Sequence, residues 1–507
     1  MYSQSGWIRF FTVYLNIAKK RLERFFNKYK QIYIKMILMK TYSKLTLALL
    51  PIFIGAAVQA DTFYFTRGLE GADSYTRNWS DAQNWDTDGT NIYSGGGWNE
   101  SRNSTLLPGA EDDVAFKVNS RYNGNNGGTY SLNLDVDAQI KLFTQNDTND
   151  IVTELVSDSG KTLTLSNPNG GVVIDKVRNL NTMTFDVNIV LAQVADKTMT
   201  IAMRSDRDVT FNKDIVYKQL SGEPAQWGRS MDFLVRYRTA TEWTKKESGN
   251  IVINGNICNY DADNNPIQLT KGIGIFSDKS LSSANHETEV VGKVIFSGDG
   301  YTMGGMMIRN GMVVNFARNN AGAANISGSA IELYETSTIN FVKANQLATS
   351  TSIQFKSPDS SSKYGGILNM MGNTVDNISY LYFADFKNNC SLGKVDFGEN
   401  DIEQWFVFEE MRAAPDATED TVWGMDFFNM GENDHIRMLS LDETKLELAK
   451  DHIYFSSLGE RGVDYEVVME LVDGKYEFSY QLIPEPATFA GIGGLIALAL
   501  AAYRRRG

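Results

Sequence analysis

The sequence predicts an all-β protein whose body is a parallel β-solenoid, with antiparallel β-sandwich domains as the alternative arrangement of the same strands. Three observations carry that expectation. Short alternating or wholly apolar runs, such as 161–166, 292–297 and 312–316, recur between Gly, Asn, Asp and Ser. Nothing between residues 61 and 480 sustains the 3.6-residue period of a long helix, and the best helical candidate, around Trp405–Arg412, is short. Pieces also repeat: 183–190 aligns with 209–216, so that Phe185 falls on Phe211 at an offset of 26, and more loosely with 251–257. An offset of that size suits one coil of a solenoid, whose stacked coils bury a continuous apolar interior and leave Asn and Gly at corners.

The elements follow in chain order. Residues 1–38 are basic and aromatic (Lys19, Lys20, Arg21, Arg24, Lys28, Lys30) and read as a mis-called start or a long n-region, with Met36 or Met39 as the true start. The alternative for this stretch is an amphipathic helix on a membrane surface. Residues 39–60 read as a signal peptide. Lys40 and Lys44 precede the apolar run Leu45–Ala57, and Val58-Gln59-Ala60 places small residues at −3 and −1, so cleavage is expected between Ala60 and Asp61. The run is short of the ~20 residues a spanning helix needs, and the Sec translocon is the expected first partner. Residues 61–480 form the β-rich extracytoplasmic body. Residues 481–507 hold Ile483-Pro484-Glu485-Pro486, an apolar run from Ala487 to Tyr503 expected to be a single transmembrane helix, and Arg504-Arg505-Arg506. Arginines after a membrane helix stay in the cytoplasm, which leaves the body outside the inner membrane.

Composition narrows the function classes. The chain of 507 residues is 42% hydrophobic and has 43 Gly but only 9 Pro, which excludes a disordered chain. Two short apolar runs and a mean hydropathy of −0.28 exclude a multi-spanning membrane protein. Two Cys exclude a disulfide scaffold and three scattered His argue against a His-built metal centre. The two end segments (1–60 and 484–507) hold 13 of the 48 basic but 2 of the 61 acidic residues, leaving the body with 35 against 59, a net −24. Such a surface repels nucleic-acid backbones.

Pro-Glu-Pro, a short membrane helix and a terminal Arg cluster, in that order, resemble the PEP-CTERM sorting signal of Gram-negative bacteria. The resemblance covers residues 483–507 and assigns the sorting motif to Pro484, Glu485, Pro486, Arg504, Arg505 and Arg506. It implies a substrate of a membrane exosortase, anchored in the inner membrane before processing and afterwards at the cell surface or in the extracellular matrix. Asn78-Trp79-Ser80-Asp81-Ala82-Gln83-Asn84-Trp85, followed by Pro108-Gly109-Ala110-Glu111-Asp112-Asp113-Val114-Ala115-Phe116, resembles the opening of autotransporter-like β-helical surface proteins. The outer-membrane barrel strands of true autotransporters are missing here, so the sorting tail stands in for self-secretion.

Candidate chemistry is sparse. Trp79, Trp85 and Trp98 lie among Asn, Asp and Gly, as carbohydrate-stacking residues do; alternatively they cap the open first coil. Asp261-Ala262-Asp263-Asn264-Asn265 resembles a Ca²⁺ loop but has Pro266 and Gly272 where the turn Gly and bidentate Glu belong, and reads as a polar turn. The pairs Asp112-Asp113 and Glu409-Glu410 point to opposite faces of a strand and read as solvated surface charge. His286, His435 and His452 lack a nucleophile signature. Cys258 and Cys390 leave open either one disulfide or two buried thiols. No cofactor and no metal is expected. The functional expectation is a structural or adhesive surface protein without catalysis of its own, with extracellular polysaccharide as a partner; the alternative is a secreted carbohydrate-active enzyme or carbohydrate-binding module.

Overall fold

Alternation sets the strands. Thr162–Leu165, Lys293–Phe296 and Met231–Val235 each bury every second side chain. Because successive side chains on a strand point to opposite faces, each run offers one apolar edge to an interior. The computed structural model describes residues 61–65, 77–87, 106–116, 129–145, 152–176, 182–194, 197–203, 205, 207–221, 231–235, 249–267, 272–277, 292–319, 326–327, 330–348, 350–356, 362–484 and 495–501. Among them the fold is all-β apart from two short helices, Glu443–Asp451 and 495–501, and single 3-10 turns.

The strands wind into a parallel β-solenoid. One face belongs to a 17-stranded sheet, a second is a 12-stranded sheet from Thr129–Asn133 to Ile453–Tyr454, and a third has seven strands from Ala138–Ile140 to Ile326–Ser327. Every pair in the second face is parallel. The same holds in the third. A sandwich of antiparallel domains is therefore not the arrangement. The sequence repeats become vertical neighbours: Phe185 pairs with Phe211 and Ile189 with Ile215, then Phe211 with Ile253 and Ile215 with Ile257. The step lengthens from 26 to 42 residues between these coils (253 less 211), yet the register holds because the additional residues lie between strands rather than within them.

Inside, aromatic rings follow the register. Phe185 stacks on Phe211 at 5.0 Å and 5°, while Phe296, Phe316 and Phe341 meet edge to face at 5.9 and 5.7 Å. Corners are polar and self-satisfied. Asn250 donates its backbone N–H and its amide to Asp208 Oδ1, and Asn256 does the same to Asp214 Oδ1 at 2.9 Å for each bond. Gly255 lies between them because a Cβ there would come within 2.1 Å of the Lys213 carbonyl oxygen. At Asn310-Gly311 the need is different: φ of 59° and 67° makes a left-handed turn that this pair adopts with little strain.

The third face stops at Ser327, and Arg318 fills the corner where the taper begins. Its side chain is 1% exposed. Nη1 donates to the carbonyls of Gly255 (2.7 Å), Asn254 and Ser297, and Nη2 to Thr302 Oγ1 at 3.2 Å. Gln346, from the first coil without a third strand, accepts the Arg318 N–H and donates back to its carbonyl. Burial lowers the Arg318 pKa to about 10, which still leaves it charged at neutral pH.

Both ends are covered. At the N-terminal end Thr62–Phe65 pairs parallel with Asp113–Phe116 and antiparallel with Trp85–Asp86. At the other end the hairpin Tyr465–Val472/Lys475–Leu482, turned by Asp473-Gly474, lies antiparallel on Asp434–Met438. The helix Glu443–Asp451, N-capped by Asp442, buries Leu446 and Ala449 against this end.

The structure decides two points that the sequence left open. The segment Trp405–Arg412 is not helical: it contributes to strands Gln404–Phe408 and Met411–Ala413, whose apolar positions pack inward on the coil below. Cys258 and Cys390 are both free. They lie on different faces and five strand spacings apart along the axis, roughly 24 Å at about 4.8 Å per spacing. A disulfide needs a Cα separation below about 7 Å, so they cannot pair within one chain. Among the described residues no helix is long and apolar enough to cross a membrane. Of the expected C-terminal helix only 495–501 is described, with Leu495, Ile496, Leu498 and Leu500 all exposed. The expected leader (1–60) lies outside the described residues.

Replacing Arg318 with Met should strand the carbonyls of Asn254, Gly255 and Ser297 in the interior. A loss of about 3 kcal/mol is expected, given the 1.5–3 kcal/mol typical of bonds to charged donors. The check is the urea midpoint of unfolding followed by far-UV circular dichroism.

Candidate functional site

The tryptophans singled out for sugar stacking are placed inside. Trp79 is 1% and Trp85 0% exposed. Trp85 packs edge to face on Trp79 (4.8 Å) and Phe65 (5.8 Å), and its indole N–H donates to the Trp79 carbonyl at 2.9 Å. Buried rings leave no face for a sugar, so of the two readings of Trp79 and Trp85 their burial supports the cap over the first coil. Asn84 and Asn133 both bond to Asn78 and tie this cap to the next rungs. Trp98 lies outside the described residues, as do Ala60, Glu485, Pro486, Arg504, Arg505, Arg506 and His286. Asp61 is the first described residue, and Pro484 follows the last strand residue, Leu482, by two positions.

The polar pairs have separate duties. Asp112 accepts from the backbone of Gly109 and Asp61, whereas Asp113 faces Lys141 at 3.5 Å. Glu409 is exposed, but Glu410 is 4% exposed and ion-paired with both Arg412 and Lys445, so it is not the solvated charge expected. Burial pushes its pKa up, but the bonds from Lys445 and Arg412 outweigh this and hold it below the usual carboxylate value. In the 261–265 loop Asp261 accepts from Asp263 and Asn265, its carboxylate turned onto its own turn rather than outward.

The side chains that converge most closely lie on the outer surface near the C-terminal cap. Three strands place them: Gln404–Phe408, Asp434–Met438 and Lys475–Leu482. Parallel register sets His435 beside Trp405, and the rings stack at 3.8 Å and 9°. Two residues on, Arg437 lies 4.2 Å from the same indole and opposite Glu477 on the antiparallel strand. Glu477 receives Nε and Nη2 of Arg437 and faces His435 Nδ1 at 3.0 Å, while Glu403 accepts from the Trp405 indole at 2.8 Å. Alongside is a groove of about 350 Å³ lined by Glu432, Asp434, His435, Glu470, Glu477 and Tyr480 among others.

Glu477 and Asp434, which both line the groove, are tuned in opposite directions. Burial pushes Glu477 up, but the bonds from Arg437 and His435 prevail and its pKa falls below the ordinary value. For Asp434 burial prevails over the bonds from Gly431 and Gln404, and its pKa is raised. Opposed shifts of this kind are one mark of acid–base sites. Here both Asp434 oxygens are engaged, one by Gln404 Nε2 (2.9 Å) and one by Gly431 N (2.7 Å), which ties the carboxyl into the coil corner. The groove is thus lined mainly by acidic side chains with His435 and Tyr480, and the Trp405 ring lies outside its lining. Among the described residues no group of three or more His, Cys, Asp or Glu could hold a metal ion.

Sequence reasoning missed this cluster. Trp405, His435 and Glu477 are 30 and 42 residues apart, and only the coil register and the antiparallel hairpin bring them together. No family model, no curated protein and no solved structure matches this chain.

Because the folded Glu477 pKa lies below the ordinary 4.5, its stabilising contribution is present above that value and is lost as pH falls through the folded value. The Glu477→Gln variant should melt below wild type at pH about 7, and the gap should close toward pH about 3. Thermal melts across that range, in matched salt, check it.

Proposed function

We propose that this chain is an exported surface protein whose solenoid body serves a structural or adhesive role and is delivered by exosortase through its C-terminal PEP-CTERM-like tail. The observation that carries the proposal is where the folded body stops. The capping hairpin ends at Leu482, and Pro484 opens the Pro-Glu-Pro motif two residues later. A last strand that ends two residues before a Pro-Glu-Pro motif, whose prolines disfavour continued sheet pairing, is in keeping with a peptide that a membrane protease can reach. The exposed Leu495, Ile496, Leu498 and Leu500 suit a bilayer better than water, in keeping with anchorage before processing. The acidic surface, net −24 over 61–483, favours solubility outside the cell.

A second reading, carbohydrate recognition, is favoured by the Trp405–His435 stack beside the acidic groove. Loss of retention on the host's own matrix polysaccharide on changing both Trp405 and Tyr480 to Ala would support it; unchanged retention would remove the stack and the groove from consideration.

Changing Pro484-Glu485-Pro486 to three alanines should abolish processing in the native host. Intact mass of envelope and medium fractions checks this: the wild type should end near Pro486, and the variant should retain 487–507. Equal processing of both would overturn the exosortase assignment.

A further inference from the structure

The backbone N–H of Asp61 donates to a carboxylate that is also held by its own loop. The nitrogen lies 3.1 Å from Asp112 Oδ1, and the Asp61 carbonyl accepts the Asp113 N–H at 3.0 Å. Asp112 is itself fixed on all sides: Oδ2 accepts from Gly109 N at 2.8 Å, its N–H donates to the Gly109 carbonyl at 3.0 Å, and its carbonyl accepts from Lys141 at 2.9 Å. Lys141 directs its ammonium to Asp113, so among the described residues Asp112 makes no ion pair. From Thr62 onward the chain is locked residue by residue against Asp113–Phe116. The compact unit holding the described residues also begins at Asp61.

We propose that Asp112 is the acceptor for a newly made N-terminus: cleavage of the Ala60–Asp61 bond turns the Asp61 amide into an ammonium that Asp112 binds, locking the first strand of the solenoid after export. The inference rests on the export reading and deepens it. Hydrolysis consumes one water and yields the Ala60 carboxylate and the Asp61 ammonium. The amide N–H···O⁻ bond of the precursor becomes an ammonium–carboxylate pair, in which both partners are charged. The site suits this cut and no neighbouring one, because a start one residue earlier or later would displace the ammonium by about 3.4 Å along the strand. An α-ammonium ordinarily titrates near about 7.7–8.0, and an adjacent carboxylate holds the proton to higher pH. With the folded value raised, the clamp is fully present below the ordinary value and is lost as pH rises through the folded one.

The test expresses the full chain with its own leader in a Gram-negative host and uses the exported protein. Mass spectrometry of the N-terminal peptide identifies the start, and ¹³C-dimethylation of the amine allows its titration by NMR. Wild type is compared with Asp112→Asn and with a chain carrying one Gly inserted between Ala60 and Asp61. The expected result is a start at Asp61 with an amine whose acid dissociation is about ten-fold weaker than ordinary, the effect vanishing in both variants. Should Asp112→Asn not fold, the insertion variant, which keeps Asp112, decides alone. A start at Asp61 with an ordinary titration, the same in wild type and variants, overturns the inference and leaves the export reading standing. An uncut Ala60–Asp61 bond overturns both.

Discussion

The structure depends on one constraint: every strand must have its backbone N–H and C=O groups paired, and in a parallel solenoid the partners can only be the coils above and below. That requirement makes register the organising quantity. Phe185, Phe211 and Ile253 occupy one interior column because their strands pair residue for residue, and the aromatic packing follows from that pairing. It also makes the two ends the weak points, since the last strand on each side offers an open edge for pairing with another chain. The caps answer this in chemically different ways. The first coil is covered by a knot of Trp79, Trp85 and Phe65 around a short antiparallel pair, and the last by a hairpin whose antiparallel direction cannot template a further parallel coil.

The same constraint governs the buried polar groups. Corner residues must turn the chain without leaving donors unpaired, and Asp208, Asn250, Asp214 and Asn256 do so by bonding to the rung beside them. Where the third face ends, the corner pattern cannot continue and several carbonyls face inward together. A guanidinium is the side chain with enough donors, suitably spread, to satisfy them, which accounts for a buried Arg318 in the interior of an acidic protein.

The C-terminal cap draws function and architecture together. Ending the stack with an antiparallel strand sets Glu477 opposite Arg437, while the last parallel pairing sets His435 on Trp405. A charged and aromatic cluster thus forms where the solenoid is terminated and close in sequence to the tail proposed to be processed. At the opposite end Asp112 is held by its own loop in a position that serves the first residue of the body.

The sequence by itself determined the strands, their turns and the column of repeats. Period-two burial and Asn-Gly steps are local properties, and the alignment of Phe185 with Phe211 and Ile253 is visible in one dimension. It also marked Trp79 and Trp85 as a cap in preference to a sugar platform, without fixing their burial. Only the tertiary structure decided that question, because burial depends on what covers a ring and not on which residues flank it. It likewise placed Trp405–Arg412 in strands: a short apolar run is compatible with helix or strand, and pairing with the neighbouring coils settles it. Arg318, Glu410 and the Trp405–His435–Arg437–Glu477 cluster were not legible, since their partners are brought from distant positions by coil stacking and carry no local pattern. Local periodicity is written along the chain, whereas the satisfaction of buried charge is a property of the space between coils.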